Sequence, residues 1–395
     1  MSPLVAAACR REELTVEPSI CFVATSRAML NLLVPDGPAA IGGAELQLSL
    51  LARALMNKGW AVSFLLGDYG QDTVTRTSDG IQLLRAYQQS GGWTIARILC
   101  RDLPQFWRSL ARVDADIYVS RGLTGQAGII AAFAKLHRRR YVFWFGKNSD
   151  AKYGVPALSP LPLLERLPAW YGIRFADAVI VQSNDQDTLL RKYVGRNGVV
   201  IPNVSPWPDA PSADSAGEYV LWVGSIQPKK RPHLMLDVAS QLPNVQFVMA
   251  GGEMPKYADL YDSVERRAKQ AKNVDFLGFV PFEQTKELFQ HAGVLVSTSD
   301  AEEEGFPNVF LQAWSCGVPT IATCDPDGVI KANGLGFHCS EISEVEDSIA
   351  TVLGDAQLRS QLARQARKYV ADYHSPEAVS SKLNRVLREL LRSGK

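Results

Sequence analysis

From Ser19 to Leu391, short apolar runs alternate with segments of helical period, in two series separated by a stretch rich in proline and small residues. The first series has runs at Ser19–Ala24, Ala61–Leu66, Asp116–Ser120, Tyr141–Phe145, Ala176–Ser183 and Val199–Asn203. The second has them at Tyr219–Val223, Val245–Ala250, Val274–Phe276 and Val294–Val296. Strands joined through helices pair in parallel, so each series predicts a doubly wound sheet. A length of 395 residues also exceeds one ordinary core. The expected protein is α/β, with two similar domains facing a central cleft. It divides into a loose leader over 1–18, an N-terminal domain over 19–204, a linker over 205–217, a C-terminal domain over 218–372 and a closing helical segment over 373–395 that packs back on the N-terminal domain. Thr25–Ala40 reads as a long loop, and Pro156–Trp170 as a flap or short helix beside the cleft.

Composition narrows the function. With 42 basic and 41 acidic residues the formal net charge is +1, which does not fit a nucleic-acid binder. Six scattered cysteines form no Cys-x-x-Cys pair and five histidines show no metal-ligand spacing, so neither a zinc site nor a disulfide framework is expected. No apolar run approaches the roughly 20 residues of a membrane span. The apolar Leu4–Cys9 precedes its charges instead of following them, the wrong order for a signal peptide. The expected location is the cytosol.

Chemistry concentrates where apolar runs end. The stretch Ser297–Trp314 runs from a strand through Glu302, Glu303 and Glu304 to Gly305, Phe306, Pro307 and Asn308, then into a helix. Gly305 permits close backbone approach, and the amides of Gly305, Phe306 and Asn308 at a helix start form an anion seat. Carboxylates beside such a seat suit a ligand with both phosphates and hydroxyls, as in a nucleotide sugar; the alternative is an acidic cap that only stabilises the helix. Gly42-Gly43, before a helical pattern, is either a second phosphate seat or a plain turn. Lys229, Lys230 and Arg231 follow the run at Tyr219–Val223 and offer cations to a diphosphate, while Gly251 closes the next run. Lys147, Asn148 and Asp150 stand where ligands gather on a parallel sheet, or are turn residues. Trp93–Ala111 interleaves aromatics with Arg97, Arg101 and Arg108, and Arg112 follows. That pattern is either a surface for an anionic bilayer or lipid-linked acceptor, or core packing with a solvated basic face.

In this order the blocks resemble the retaining glycosyltransferases of GT-B fold, family four. Glu304 through Gln312 looks like that family's signature of two acids with seven residues between them, and Cys316-Gly317-Val318-Pro319 looks like its trailing strand. Gly42–Glu45, Asp177 through Asn203, and Val223 through Pro232 agree in the same order. The resemblance implies two Rossmann-like domains, with Glu304 on donor-sugar hydroxyls and the segment Gly305, Phe306, Pro307 and Asn308 around sugar and diphosphate, the N–H groups of Gly305, Phe306 and Asn308 donating. It further implies Lys230 as the cation that neutralises the leaving diphosphate, Gly42 and Gly43 against the same phosphates, and Val280 in the segment meeting the base. Lys147 and Asp150 take donor or acceptor roles.

Two positions depart from the family: Gln312 replaces the acid that holds ribose, and Ser225 replaces an arginine among the phosphate cations. No histidine ends the run Tyr141–Phe145. The implied reaction moves a sugar from a nucleotide diphosphate sugar, UDP being the expected nucleotide, to a hydroxyl of a glycan or lipid-linked acceptor, with no metal or other cofactor and with peripheral contact at the inner face of the membrane. The alternatives are a nucleotide-binding partner subunit without catalysis, which Ser225 and Gln312 allow, and a GT-B epimerase or phosphorylase.

Overall fold

The computed structural model describes residues 17–34, 42–86, 101–208, 217 and 219–393. Two sheets carry them. The first comprises β1 Ser19–Val23, β2 Ala61–Leu66, β3 Val74–Arg76, β4 Gln82–Arg85, β5 Ile117–Arg121, β6 Arg140–Trp144, β7 Ala178–Val181 and β8 Val199–Val200, in the order β3-β4-β2-β1-β5-β6-β7-β8. Only β3 runs antiparallel to its neighbour, β4. The second comprises β9 Tyr219–Val223, β10 Phe247–Ala250, β11 Val274–Gly278, β12 Ala292–Ser297, β13 Thr320–Ala322 and β14 Gly336–His338, all parallel, in the order β11-β10-β9-β12-β13-β14.

Apolar runs without polar alternation become strands covered on both faces. Along β1, Ile20 and Phe22 enter one core and Cys21 and Val23 the opposite one. Along β9, Val220 and Trp222 likewise oppose Leu221. In each sheet the chain winds outward on one side of its first strand, then crosses to the other. The crossing falls between β1 and β5 in the first sheet and between β9 and β12 in the second. Loops leaving those neighbouring strand ends diverge, and the crevice between them is where such sheets bind ligands.

Helix Pro376–Arg392 packs on the first sheet, where Val379, Leu383 and Leu387 share a core with Ile20 and Phe22. Trp60 Nε1 donates to Asn384 Oδ1 at 2.8 Å across the same contact. The chain thus passes between the halves twice, and the passages touch: Ser205 N donates to the His374 carbonyl at 2.8 Å, and His374 Nδ1 bonds the Asn203 carbonyl at 2.7 Å.

Several expectations change. Within Thr25–Ala40, Arg27–Leu33 is helical because Ser26 Oγ accepts from Met29 N at 3.3 Å and Met29 and Leu33 are buried. Pro156–Trp170 is a 3₁₀ turn at Pro156–Leu158 followed by helix Leu163–Phe175. That helix crosses helix Gln126–Leu136 so closely that a Cβ on Gly128 would lie 2.3 Å from the Pro168 carbonyl. The pair β3 and β4 is additional. The leader over 1–16, Trp93 to Cys100 and linker residues 209–216 and 218 lie outside the described residues. Among the described residues no helix is long and apolar enough to cross a membrane.

Candidate active site

The crevice of the second sheet is formed by the segment after β9 and the segment after β12. Pro228–Lys230 makes a 3₁₀ turn and Arg231 takes a left-handed φ of 45°. Arg231 donates from Nε to the Thr298 carbonyl at 2.7 Å, and from Nη2 to the Ser299 carbonyl at 3.1 Å and Thr323 Oγ1 at 2.7 Å. Thr298 Oγ1 donates to the Lys230 carbonyl at 2.7 Å, and Asp300 N to that of Lys229 at 2.8 Å. These bonds fix the two loops together and aim Lys230 at Glu304, with Nζ 2.6 Å from Oε2 and 3.4 Å from Ser299 Oγ. Each side chain of the pair is 14% exposed. Two charges so far out of water are held by each other, and a ligand bringing its own negative charge can take the ammonium in exchange. Arg231, expected to help neutralise phosphate, has its guanidinium engaged in holding the loops. Burial pushes the Lys229 ammonium down from its ordinary pKa, with Glu304 opposing.

Around this pair the other expected residues divide. Ser225 Oγ accepts from Gln227 Nε2 at 2.5 Å. Gly251 donates its N–H to the Gly278 carbonyl at 2.8 Å, and a Cβ there would lie 2.4 Å from the Gly224 carbonyl, so strand packing accounts for that glycine. Val280 follows β11 and is half-buried. The amides after Glu304 do not all face outward: Phe306 N donates to Gln182 Oε1 at 3.4 Å, and Asn203 Nδ2 donates to the Phe306 carbonyl at 3.1 Å. Burial of the Phe306 ring beside Trp314 and His374 turns that backbone toward the N-terminal half. Pro307 is the N-cap and Asn308 the first residue of helix Asn308–Ser315, on which Gln312 is buried.

The first sheet meets these segments directly. Gly42 caps helix Gly43–Met56, and Asn308 Nδ2 donates to the Gly43 carbonyl at 2.9 Å. A Cβ on Gly43 would sit 2.6 Å from Asn308 Nδ2, so a larger residue there displaces the Asn308 amide that bonds across the halves. Gln47 and Asn203 donate to Asn308 Oδ1 at 3.2 and 3.1 Å. Lys147 Nζ lies 3.5 Å from Glu303 Oε2, Ser149 Oγ donates to the same oxygen at 3.2 Å, and Tyr153 donates to Oε1 at 3.4 Å. Asp150, only 2% exposed, accepts from Gly146 N at 2.8 Å and Lys147 N at 3.2 Å. Burial raises its pKa while those amides and Lys147 oppose the rise. Asp150 therefore shapes the loop, and Lys147 faces Glu303.

Sequence reasoning passed over Arg121. It ends β5, one residue beyond the expected apolar run, at the crossing point of the first sheet. Its guanidinium lies 5.5 Å from the Trp144 ring, and Nη2 donates to Asn203 Oδ1 at 3.2 Å. Nε and Nη1 are shut away from water without a hydrogen-bond partner among the described residues. Burial pushes its pKa down to about 10, with Glu45 and Asp150 offsetting, so it stays charged at neutral pH. A lone charge closing an apolar strand at a sheet crossing was the available signal.

The N-terminal half over residues 42–204 matches the glycosyl transferase 4-like domain, and residues 206–369 match glycosyl transferases group 1. D-inositol 3-phosphate glycosyltransferase of Mycolicibacterium paratuberculosis is 28% identical over 186 residues, covering 44% of this chain and 41% of that protein. The chain thus spans about two fifths of that relative's length. The protein of the same name from Mycolicibacterium gilvum is 27% identical over 68% of this chain and 65% of its own. Sucrose-phosphate synthase from Thermosynechococcus elongatus superposes with a TM-score of 0.75 at 19% identity, over 95% of this chain and all, 100%, of the other. Anabaena HepE in complex with UDP-glucose superposes at 0.70 and 18% identity, over 94% of this chain and 99% of the other. With both halves matched in order and the two-sheet architecture shared, the chain belongs to family four of the GT-B glycosyltransferases.

Proposed function

We propose that the protein transfers a sugar from a nucleotide diphosphate sugar to a hydroxyl of a glycan or lipid-linked acceptor, with retention at the anomeric carbon. The observation that carries this reading is the Lys230–Glu304 pair at the crossing point of the second sheet. It offers one cation for a leaving diphosphate and one carboxylate for sugar hydroxyls, side by side. Charge that develops on the diphosphate as the glycosidic bond breaks meets a preplaced ammonium. The leaving phosphate oxygen takes the acceptor's hydroxyl proton on the same face, so no protein nucleophile is needed. Lys230 and Lys229 supply the positive charge in place of a metal.

UDP is the proposed nucleotide, in keeping with HepE and its bound UDP-glucose. Gln312, on helix Asn308–Ser315, is proposed to bind ribose through its amide, and Val280 to meet the base. The crossing at Ser205 and His374 divides an N-terminal acceptor domain from a C-terminal donor domain and is the proposed hinge, with the linker at 205–217. The curated relatives are named as glycosyltransferases, and the charged pair is intact despite Ser225 and Gln312. Both favour transfer over a silent partner subunit, and the relatives' names favour it over an epimerase. The site of action is proposed as the cytosolic face of the membrane, where a lipid-linked acceptor presents its hydroxyl.

The test is to incubate the protein with UDP-glucose and related donors, with and without chelator, and to follow released UDP and the anomeric configuration of the product by NMR. Chelator-insensitive release of UDP with retained configuration is expected. Inverted product, or release abolished by chelator, contradicts the mechanism.

A further inference from the structure

The two halves also meet outside the crevice. After β13 the chain turns through Pro326–Gly328, with Asp327 at φ 56° and ψ 13° and Gly328 at φ 65°, both left-handed. Asp325 holds that turn from within its own half: Oδ1 accepts from Ile330 N at 2.8 Å and Oδ2 from Lys331 N at 3.2 Å. The turn presents the Asp327 carboxylate to the first turn of helix Asn184–Val194, in the N-terminal half. There Oδ2 accepts from Asn184 N and Asn184 Nδ2, each at 2.8 Å, and Oδ1 accepts from Asp185 N at 2.8 Å. In return Asp327 N donates to Asp185 Oδ2 at 2.7 Å.

A carboxylate suits this place for two reasons. The opening amides of a helix have no partner within it, and the positive end of its dipole favours an anion. Ser183 Oγ takes the amide of Gln186 at 3.2 Å, which leaves those of Asn184 and Asp185 to an acceptor from outside. Aspartate also tolerates the left-handed backbone, which most side chains adopt only at a cost. One half thus prepares the turn, and the four bonds form only against the other half. Hydrogen bonds of this length are gone once the groups part by about 1 Å, so a rotation that separates these residues breaks the set together.

The same helical turn reaches the active site. It carries Gln186, 1% exposed, whose Oε1 accepts from Gln182 N at 2.8 Å. Gln182 is the side chain that takes the Phe306 amide, and a Cβ on Gly305 would lie 2.8 Å from Gln186 Nε2. Asp327 therefore grips the N-terminal half beside the two side chains on which the backbone after Glu304 rests. Gln186 Nε2 is shut away from water without a partner among the described residues, which favours parting of the halves and opposes the grip. We propose that Asp327 is a positioning residue of the transfer reaction: it clasps the N-terminal half and sets the angle at which the halves close, and so where Glu304 stands over the donor. It acts from a loop one strand beyond the crevice. Its consequence for turnover rests on the transferase reading, though the clasp itself does not.

The test is small-angle X-ray scattering of the full chain, beside steady-state release of UDP from UDP-glucose, for the wild type, Asp327→Gly and Asp327→Asn. Glycine keeps the left-handed turn and removes the carboxylate, whereas asparagine keeps the turn and one acceptor oxygen. Asp327→Gly should have a larger radius of gyration than the wild type, with Asp327→Asn between them. Its kcat should fall at least about tenfold, the scale of lost charge-assisted hydrogen bonds, and asparagine should restore part of the loss. Asp185→Ala breaks the same set from the other half, so its effect should be smaller in the presence of Asp327→Gly than alone. Should Asp327→Gly fail to fold, Asp185→Ala and Asp327→Asn carry the same comparison. Equal radii, additive effects in the double variant, or a larger radius with unchanged release of UDP overturns the proposal. If the wild type releases no UDP, the donor reading falls and the role in turnover with it, while the radii still decide the clasp.

Discussion

The two sheets share one winding, yet their crossing points handle charge in opposite ways. Between β9 and β12 a cation and an acid meet at 2.6 Å, both mostly out of water, each the other's replaceable partner. Between β1 and β5 the Arg121 guanidinium stands with two nitrogens unbonded among the described residues, balanced through space by Glu45 and Asp150. The acid nearest in role, Asp150, is committed to backbone amides. One fold element thus yields an exchangeable pair in the C-terminal half and a fixed electrostatic frame in the N-terminal half. Topology sets where a site forms, and the local hydrogen bonds decide which charges remain free to act.

Four substitutions sharpen or break this contrast. Lys230→Ala should lower turnover by about 10²- to 10³-fold, because the departing diphosphate loses its preplaced charge. Steady-state release of UDP measures this, and a loss below tenfold would erase the distinction between the halves.

The passage between the halves depends on a neutral histidine. Burial pushes the His374 pKa down to about 4 from an ordinary 6.5, while its bond to Asn203 opposes. Between those values the unfolded chain binds the extra proton, so the contribution of His374 is complete above about pH 6.5 and is lost as pH falls toward 4, by up to about 3 kcal/mol. Denaturant unfolding from pH 7 to 4 should show this decline, with a flatter profile for His374→Gln. Equal profiles would remove His374 from the account.

Asp150→Ala should cost about 1–3 kcal/mol of stability by orphaning the amides of Gly146 and Lys147. A variant as stable as the wild type but without activity would move Asp150 from the frame into the chemistry. Glu303→Gln should be the mildest, within about 1 kcal/mol, since Lys147 and Glu303 are 41% and 34% exposed.

What could be read from the sequence follows the same division. Most strands were legible because a buried parallel strand is a plain apolar run, whereas β3, β4 and β14 are too short or too polar to stand out; Lys230 and Glu304 drew notice because each lies after such a run ends. The helix Arg27–Leu33 was not legible, because its capping serine sits in a segment whose prolines read as loop. The outward amide of Phe306 failed as an expectation because its true partner, Gln182, is 124 residues away, and spacing carries no such information. Arg231 looked like a third phosphate cation, and only the carbonyls of Thr298 and Ser299 show that its donors are already taken. Arg121 was missed because its environment comes from Trp144 and Asn203 on other segments.

The central claim is that Lys230 exchanges Glu304 for a diphosphate. Calorimetric binding of UDP and of uridine to the wild type and to Lys230→Ala tests it most directly, because only UDP brings the phosphates. The account predicts that the wild type prefers UDP over uridine and that the substitution reduces this preference at least about tenfold, the scale of one charge-assisted contact, with uridine binding unchanged. An equal preference for UDP in both proteins would place the diphosphate elsewhere and contradict the assignment.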